Sequence, residues 1–181
     1  MNRIYYSQHS PVYAHKPYTI TGDPHQTIAR SGCAPTCAAM IVSSLRETIS
    51  PLTMANIFLE AGFRTEDTGT SWEAFDYIGK IWELETESIA SFDNMISCLQ
   101  TGGMVAVSLS EGFLANNGHI ITLSSISKEG VLTILDPDLI NNPAKNSPRI
   151  QVEETRLYCP IDTFARDSNY KGLFTYNTRV R

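Results

Sequence analysis

An α+β fold in two lobes, helices first and an antiparallel sheet after, is what this sequence predicts. From Cys33 to Leu99 apolar residues recur at three and four positions, the spacing of helix faces. From Met104 onward the period falls to two or gives way to short β-branched runs, the habit of strands. Two of those runs flank Ser127-Lys128-Glu129-Gly130, a connection short enough only for an antiparallel pair.

Residues 1–32 are rich in Tyr, Pro, His and Gly and read as an extended arm laid over the rest, with one short strand candidate at Arg3 to Ser7. The first helix runs from about Cys33 to Leu45, where Cys37, Met40, Ile41 and Leu45 share a stripe. Pro51 precedes a second, Leu52 to Ala61, and Gly62 suits a left-handed cap. Thr70-x-x-Glu73 is a capping-box pattern opening a third helix with Trp72, Phe75 and Ile78. Ser91 opens a fourth, which Gly102-Gly103 ends. Met104 to Leu109, His119 to Ile126 and Val131 to Leu135 are the strands, the last two a hairpin. Asn141 to Pro148 reads as a loop, in first place a plain surface connection and in second a lid element. A short helix after Cys159-Pro160 and a closing strand over Leu173 to Tyr176 complete the chain. One domain over 1–181 is expected: arm 1–32, helical lobe 33–102 and sheet lobe 103–181.

Composition narrows the function. Among 181 residues, 42% are hydrophobic and 18% charged, which argues for a packed globular domain and against disorder. The net charge is −5 with no basic block, a poor start for binding nucleic acid. No apolar run approaches the roughly 18 residues of a membrane span. The first residues show no secretory signal, so synthesis in the cytoplasm is expected, with release or association with a particle as a later fate. Reduced thiols follow from that compartment. Four cysteines, at 33, 37, 98 and 159, are too few for a disulfide scaffold. Cys33 and Cys37 share a helix face, but no further ligand pair follows, so no metal site is expected.

Cys33 is the cysteine whose position suggests reactivity. In SGCAPTCAAMIVSSL, Gly32 permits an unusual backbone angle and Pro35 is tolerated only in a first helical turn. The thiol therefore lies at a helix N-terminus, where the dipole and free N–H groups favour thiolate. Cys37, Cys98 and Cys159 lie in apolar stripes or beside Pro and read as core. A base is needed. His9, His15 and His25 lie in the arm; His119 opens a strand in NNGHIITL. A hairpin turn centred on Lys128-Glu129 sets Asp136, in ILDPD, opposite residues 119–123, within reach of that imidazole. Trp72 reads first as a core residue at helical spacing and second as a cleft wall.

SGCAPT with a helix behind it, GTSW at Gly69 to Trp72, Gly102-Gly103 before a strand, GHIITL and then DP after a hairpin occur in that order. In these motifs the chain resembles bacterial papain-fold cysteine peptidases related to the bacteriocin-leader (double-glycine) processing peptidases. The likeness runs from Tyr5-Tyr6-Ser7-Gln8 to Asp136. It implies a papain-like fold, Cys33 as nucleophile, His119 as general base and acid, and Asp136 as the orienting group. It also implies a Gln upstream of the nucleophile whose amide binds the oxyanion; Gln8 matches that position, and Gln26, seven residues before Cys33, is the reserve. Two departures are Ala34 where the family has Gly, and Cys37 where Ser is common; neither removes a reacting atom. Transporter-linked members carry membrane and ATP-binding segments that this sequence lacks, so leader export is not expected.

The expected activity is hydrolysis of peptide bonds by a Cys-His-Asp mechanism without cofactor or metal, on a peptide or protein substrate. The first alternative is a cell-wall hydrolase cutting peptidoglycan peptides, of phage origin among the options; the second is a papain-fold binding module without catalysis. Substrate preference and oligomeric state are not written in the sequence.

Overall fold

The computed structural model describes residues 3–66 and 69–178. The arm is extended and, unlike the expectation for Arg3 to Ser7, forms no strand there: Ile4 N–H donates to Ser44 Oγ at 2.9 Å and Gln8 N–H to Pro137 O at 2.9 Å, so its hydrogen bonds go to other elements rather than to a ladder. A one-turn helix, α1 (Ile28–Ser31), leads through Gly32 into α2 (Cys33–Leu45). Gly32 has an ordinary φ of −91°, so the reason for glycine is space and not an unusual angle. A Cβ there would stand 2.6 Å from Ile28 O.

From Ala34 to Val42 every residue of α2 is buried, because the helix runs between a second layer of helix and the sheet. Next comes α3 (Pro51–Glu60), capped by Ser50, whose Oγ accepts from Thr53 N–H, and closed at Gly62 with φ +76°. A small ribbon pairs β1 (Arg64–Thr65) with β2 (Gly69–Thr70) before α4 (Glu73–Ile81). The expected capping box at Thr70 does not form. Thr70 belongs to β2, where its hydroxyl lies 2.7 Å from that of Tyr18, and Trp72 takes the cap position with no side-chain bond. The segment read as wholly helical then adds a strand, β3 (Leu84–Ser88), before α5 (Phe92–Gln100), which Ser91 caps as expected.

The strands β4 (Met104–Leu109), β5 (His119–Ile126) and β6 (Val131–Leu135) fall where the period-two reading puts them. Residues 139–146 are not a plain loop but two 3₁₀ turns. Two unread strands follow, β7 (Gln151–Glu153) and β8 (Arg156–Pro160), then α6 (Ile161–Asp167) and β9 (Tyr170–Thr178). The seven-stranded sheet has the order β3-β9-β4-β5-β6-β8-β7, antiparallel throughout. The closing strand is thus longer than expected and lies inside the sheet, between an edge strand from the helical half and β4.

Both faces of the sheet are covered. On one, Met104 and Ala106 of β4 pack with α2, α3 and α4; on the other, Val105 and Val107 pack with α5 and α6. Double coverage is why β4 reads as an unbroken apolar run. It also sets α2 and the start of β5 side by side, the arrangement that builds the site.

Candidate active site

Cys33 is the first residue of α2 and is half-buried. The preceding turn, α1, closes at Gly32, whose N–H bonds Ile28 O, and a backbone hydrogen bond from Ala34 in the first turn of α2 reaches the thiol. Burial works to raise the thiol's pKa, but the hydrogen bond and positive charge of His119, with backbone hydrogen bonds from Ile120 and Ala34, bring it below the ordinary value. The other three cysteines are buried and pushed the opposite way, Cys159 to about 11. Cys37, one turn on, donates to Ile120 O at 3.3 Å and reads as core, as expected.

His119 opens β5, and the β5–β6 register pairs Thr122 with Leu135, so the next residue, Asp136, faces back along the strand to the imidazole. His119 Nε2 lies 2.7 Å from Asp136 Oδ1, which leaves Nδ1 for the thiol. Desolvation alone lowers the imidazolium's pKa, yet hydrogen bonds to Asp136 and Cys33 and the negative charge of both outweigh it and raise the value to about 10. The carboxylate is 1% exposed and takes two further bonds: Asp138 N–H to Oδ1 at 2.8 Å and Asn142 Nδ2 to Oδ2 at 2.6 Å.

Asn142 is a site residue that reading the sequence missed. It is buried, donates also to Leu114 O at 3.0 Å, and accepts from Ala144 N–H at 2.8 Å. Its place before Pro143 is a readable cap signal. That its amide turns inward to Asp136 is set by tertiary contact alone.

A cleft passes over Cys33 and His119 and widens on either side into cavities of about 320 and 400 Å³. Gln8 lines the first. It is 3% exposed, donates through Nε2 to Ala29 O at 2.7 Å, and keeps a second amide hydrogen; Oε1 is buried with no partner among the described residues. Gln26 lines the second cavity, where its Oε1 accepts from Ser31 Oγ at 2.5 Å and Arg64 Nη2 at 3.0 Å. Gln8 and Gln26 therefore stand in opposite halves of the cleft. Trp72, read first as core, lines the second cavity instead: it is 38% exposed and stacks on Phe174 with centroids 4.8 Å apart. His15 and His25 are exposed, and His9 pairs with Asp138 at 2.6 Å. Among the described residues no group of three or more His, Cys, Asp or Glu could hold a metal ion, and no helix is long and apolar enough to cross a membrane.

Two solved structures are similar in fold. The peptidase domain of Streptococcus ComA, a bifunctional ABC transporter involved in a quorum-sensing pathway, superposes with a TM-score of 0.56 at 17% identity, covering 83% of this chain and 93% of that one. A protein described as a C39-like peptidase from Bacillus anthracis superposes with a TM-score of 0.61 at 14% identity, covering 99% and 96%. The fold is thus the papain-like one of C39 peptidases. No curated protein matches the sequence. The model of the Peptidase C39-like family matches residues 4–156, most of the chain and all the cleft residues described above. This chain belongs to the Peptidase C39-like family.

Proposed function

We propose that the chain hydrolyses peptide bonds, with Cys33 as nucleophile, His119 as general base and acid, Asp136 as the group that orients His119, and Gln8 as an oxyanion donor. The observation that carries this is the thiol–imidazole–carboxylate chain, in which one cysteine of four is drawn toward thiolate while the imidazole beside it is held charged. Cys33 thiolate attacks the amide carbon, and its sulfur–carbon bond forms as the carbonyl π pair moves to oxygen. The backbone N–H of Cys33 and the free amide hydrogen of Gln8 bind that oxyanion. His119 gives its proton to the leaving amine, then takes one from the water that cleaves the thioester, and the thiolate–imidazolium pair returns. No cofactor takes part. Gln8 is preferred to Gln26 because it matches the family position of the oxyanion amide; Gln26, whose amide oxygen accepts from Ser31 and Arg64, lines the other half of the cleft.

The test is alkylation of the native protein by iodoacetamide near neutral pH, located by mass spectrometry, beside digestion of a mixed peptide pool by wild type and Cys33→Ala. Cys33 is expected to label before Cys98 and Cys159, to slow in His119→Ala, and to be required for every cleavage. Equal labelling of the cysteines, or indifference to His119, sinks the catalytic reading and leaves a binding module.

A further inference from the structure

The two halves of the cleft differ in charge. The half with Gln8 is lined by Asp136 and Asp138; the half with Trp72 has no carboxylate among its described lining residues, in a chain of net charge −5. Arg30 lines both halves at the mouth, three residues before Cys33 in sequence. It is exposed, and its guanidinium meets no acceptor among the described residues. The neighbouring Arg64 is a contrast: it is buried, with Tyr18 O, Gly69 O and Gln26 Oε1 as acceptors, and so serves the wall itself. An unengaged guanidinium beside a reacting centre is a fork of donors matched to a carboxylate.

Resting on the peptidase reading above, we propose that the Trp72 half of the cleft is a subsite for an acidic side chain, Asp or Glu, next to the scissile bond, with Arg30 as the group that binds its carboxylate. In the other half the partly exposed Asp138 disfavours a second acid, so the preference falls on one side of the scissile bond only. The Trp72 face supplies apolar contact for the methylenes of that residue. Binding of this kind acts through encounter and KM more than through kcat, and it weakens with salt.

A probe pair tests this without a known substrate: iodoacetate carries the carboxylate and iodoacetamide the neutral amide in its place. The ratio of their rates at Cys33 cancels the thiolate fraction. Arg30→Gln is expected to lower that ratio about threefold at low ionic strength, within the range for an exposed charge pair, and Arg30→Lys to restore it in part. A ratio that Arg30→Gln leaves alone overturns the acidic subsite and spares the peptidase reading. Failure of Cys33 to react faster than Cys98 and Cys159 with either reagent overturns the peptidase reading, and this inference falls with it. Where the peptide pool is cut, the bonds should carry Asp or Glu at one fixed neighbouring position, and Arg30→Glu should turn that choice toward Lys or Arg; cleavage sites with no acidic enrichment overturn the proposal.

Discussion

Replacing Asn142 by alanine removes three hydrogen bonds from a buried corner of the site. Asn142 is 4% exposed and Asp136 1%, so little water can take the vacated positions. The bond to Asp136 Oδ2 at 2.6 Å is charge-assisted and contributes about 1.5–3 kcal/mol. Those with Leu114 O and Ala144 N–H are neutral and contribute on the order of 1 kcal/mol each. A loss of roughly 3.5–5 kcal/mol follows, which for a domain of this size lowers Tm by roughly 7–20 °C. The same change frees the carboxylate to rotate away from Nε2 of His119, and the imidazolium then no longer stands fixed beside the thiolate. Cys33 should move back toward an ordinary thiol, each pKa unit costing about tenfold in thiolate at neutral pH. Urea unfolding measures the first effect and the pH profile of Cys33 alkylation by iodoacetamide the second. A variant that loses the stability but keeps the wild-type alkylation profile shows Asn142 to be a brace for the 3₁₀ turns alone, and the positioning role is refuted. A stability change under about 1 kcal/mol refutes the hydrogen-bond reasoning itself.

The remaining expectations concern the same cleft. Because His119 holds its proton to about 10, peptide hydrolysis should stay level through neutral and mildly alkaline pH and fall only as pH rises through that value, where the general acid is lost; a fall centred near the ordinary imidazole value of about 6.5 contradicts the charged pair. Gln8→Ala should cost about a hundredfold in kcat through the oxyanion while slowing alkylation far less, since displacement of iodide makes no oxyanion; equal losses in both assays assign Gln8 to packing.

Much of the scaffold was readable because local rules and tertiary environment agree. Pro51, Ser91 and Gly62 punctuate α3 and α5 by chemistry that needs no neighbours. The β5–β6 turn sets the register to within the one-residue irregularity between Leu123 and Ser125, close enough to bring Asp136 toward His119. What escaped is what long-range pairing decides. Leu84–Ser88 has one buried residue, Leu84, and four exposed ones, so nothing in its pattern marks the edge strand that β9 recruits. Gln151–Glu153 is exposed throughout and is a strand only because β8 lies beside it. The capping box at Thr70 failed because a hydroxyl partner from the arm, Tyr18, competes for the same oxygen. Trp72 lies at core spacing, but the helix end it occupies reaches the mouth of the cleft, where Phe174 covers one face of the ring and substrate could meet the other.

The arm shows why residues so far apart in sequence hold one geometry. Tyr5 donates its hydroxyl to Asp136 O at 3.1 Å, and Gln8 N–H donates to Pro137 O, so the strap that carries Gln8, the proposed oxyanion donor, is tied to the backbone at the Asp136 corner. The residues just beyond each, His9 and Asp138, are joined at 2.6 Å, and Asp138 N–H bonds Asp136 Oδ1 in turn. On the other side Gln8 Nε2 donates to Ala29 O, at the start of the helical turn that leads to Cys33. Gln8 therefore cannot shift without moving either the Asp136 corner or the approach to Cys33. A donor that must meet an oxyanion within about 3 Å needs that double anchorage, because a site built on one loop alone loosens by about the distance that matters. The arm is extended because its bonds go in turn to α2, through Ile4 N–H and Ser44 Oγ, and to the Asp136 corner, through Gln8 N–H and Pro137 O, a span that a compact helical turn could not bridge.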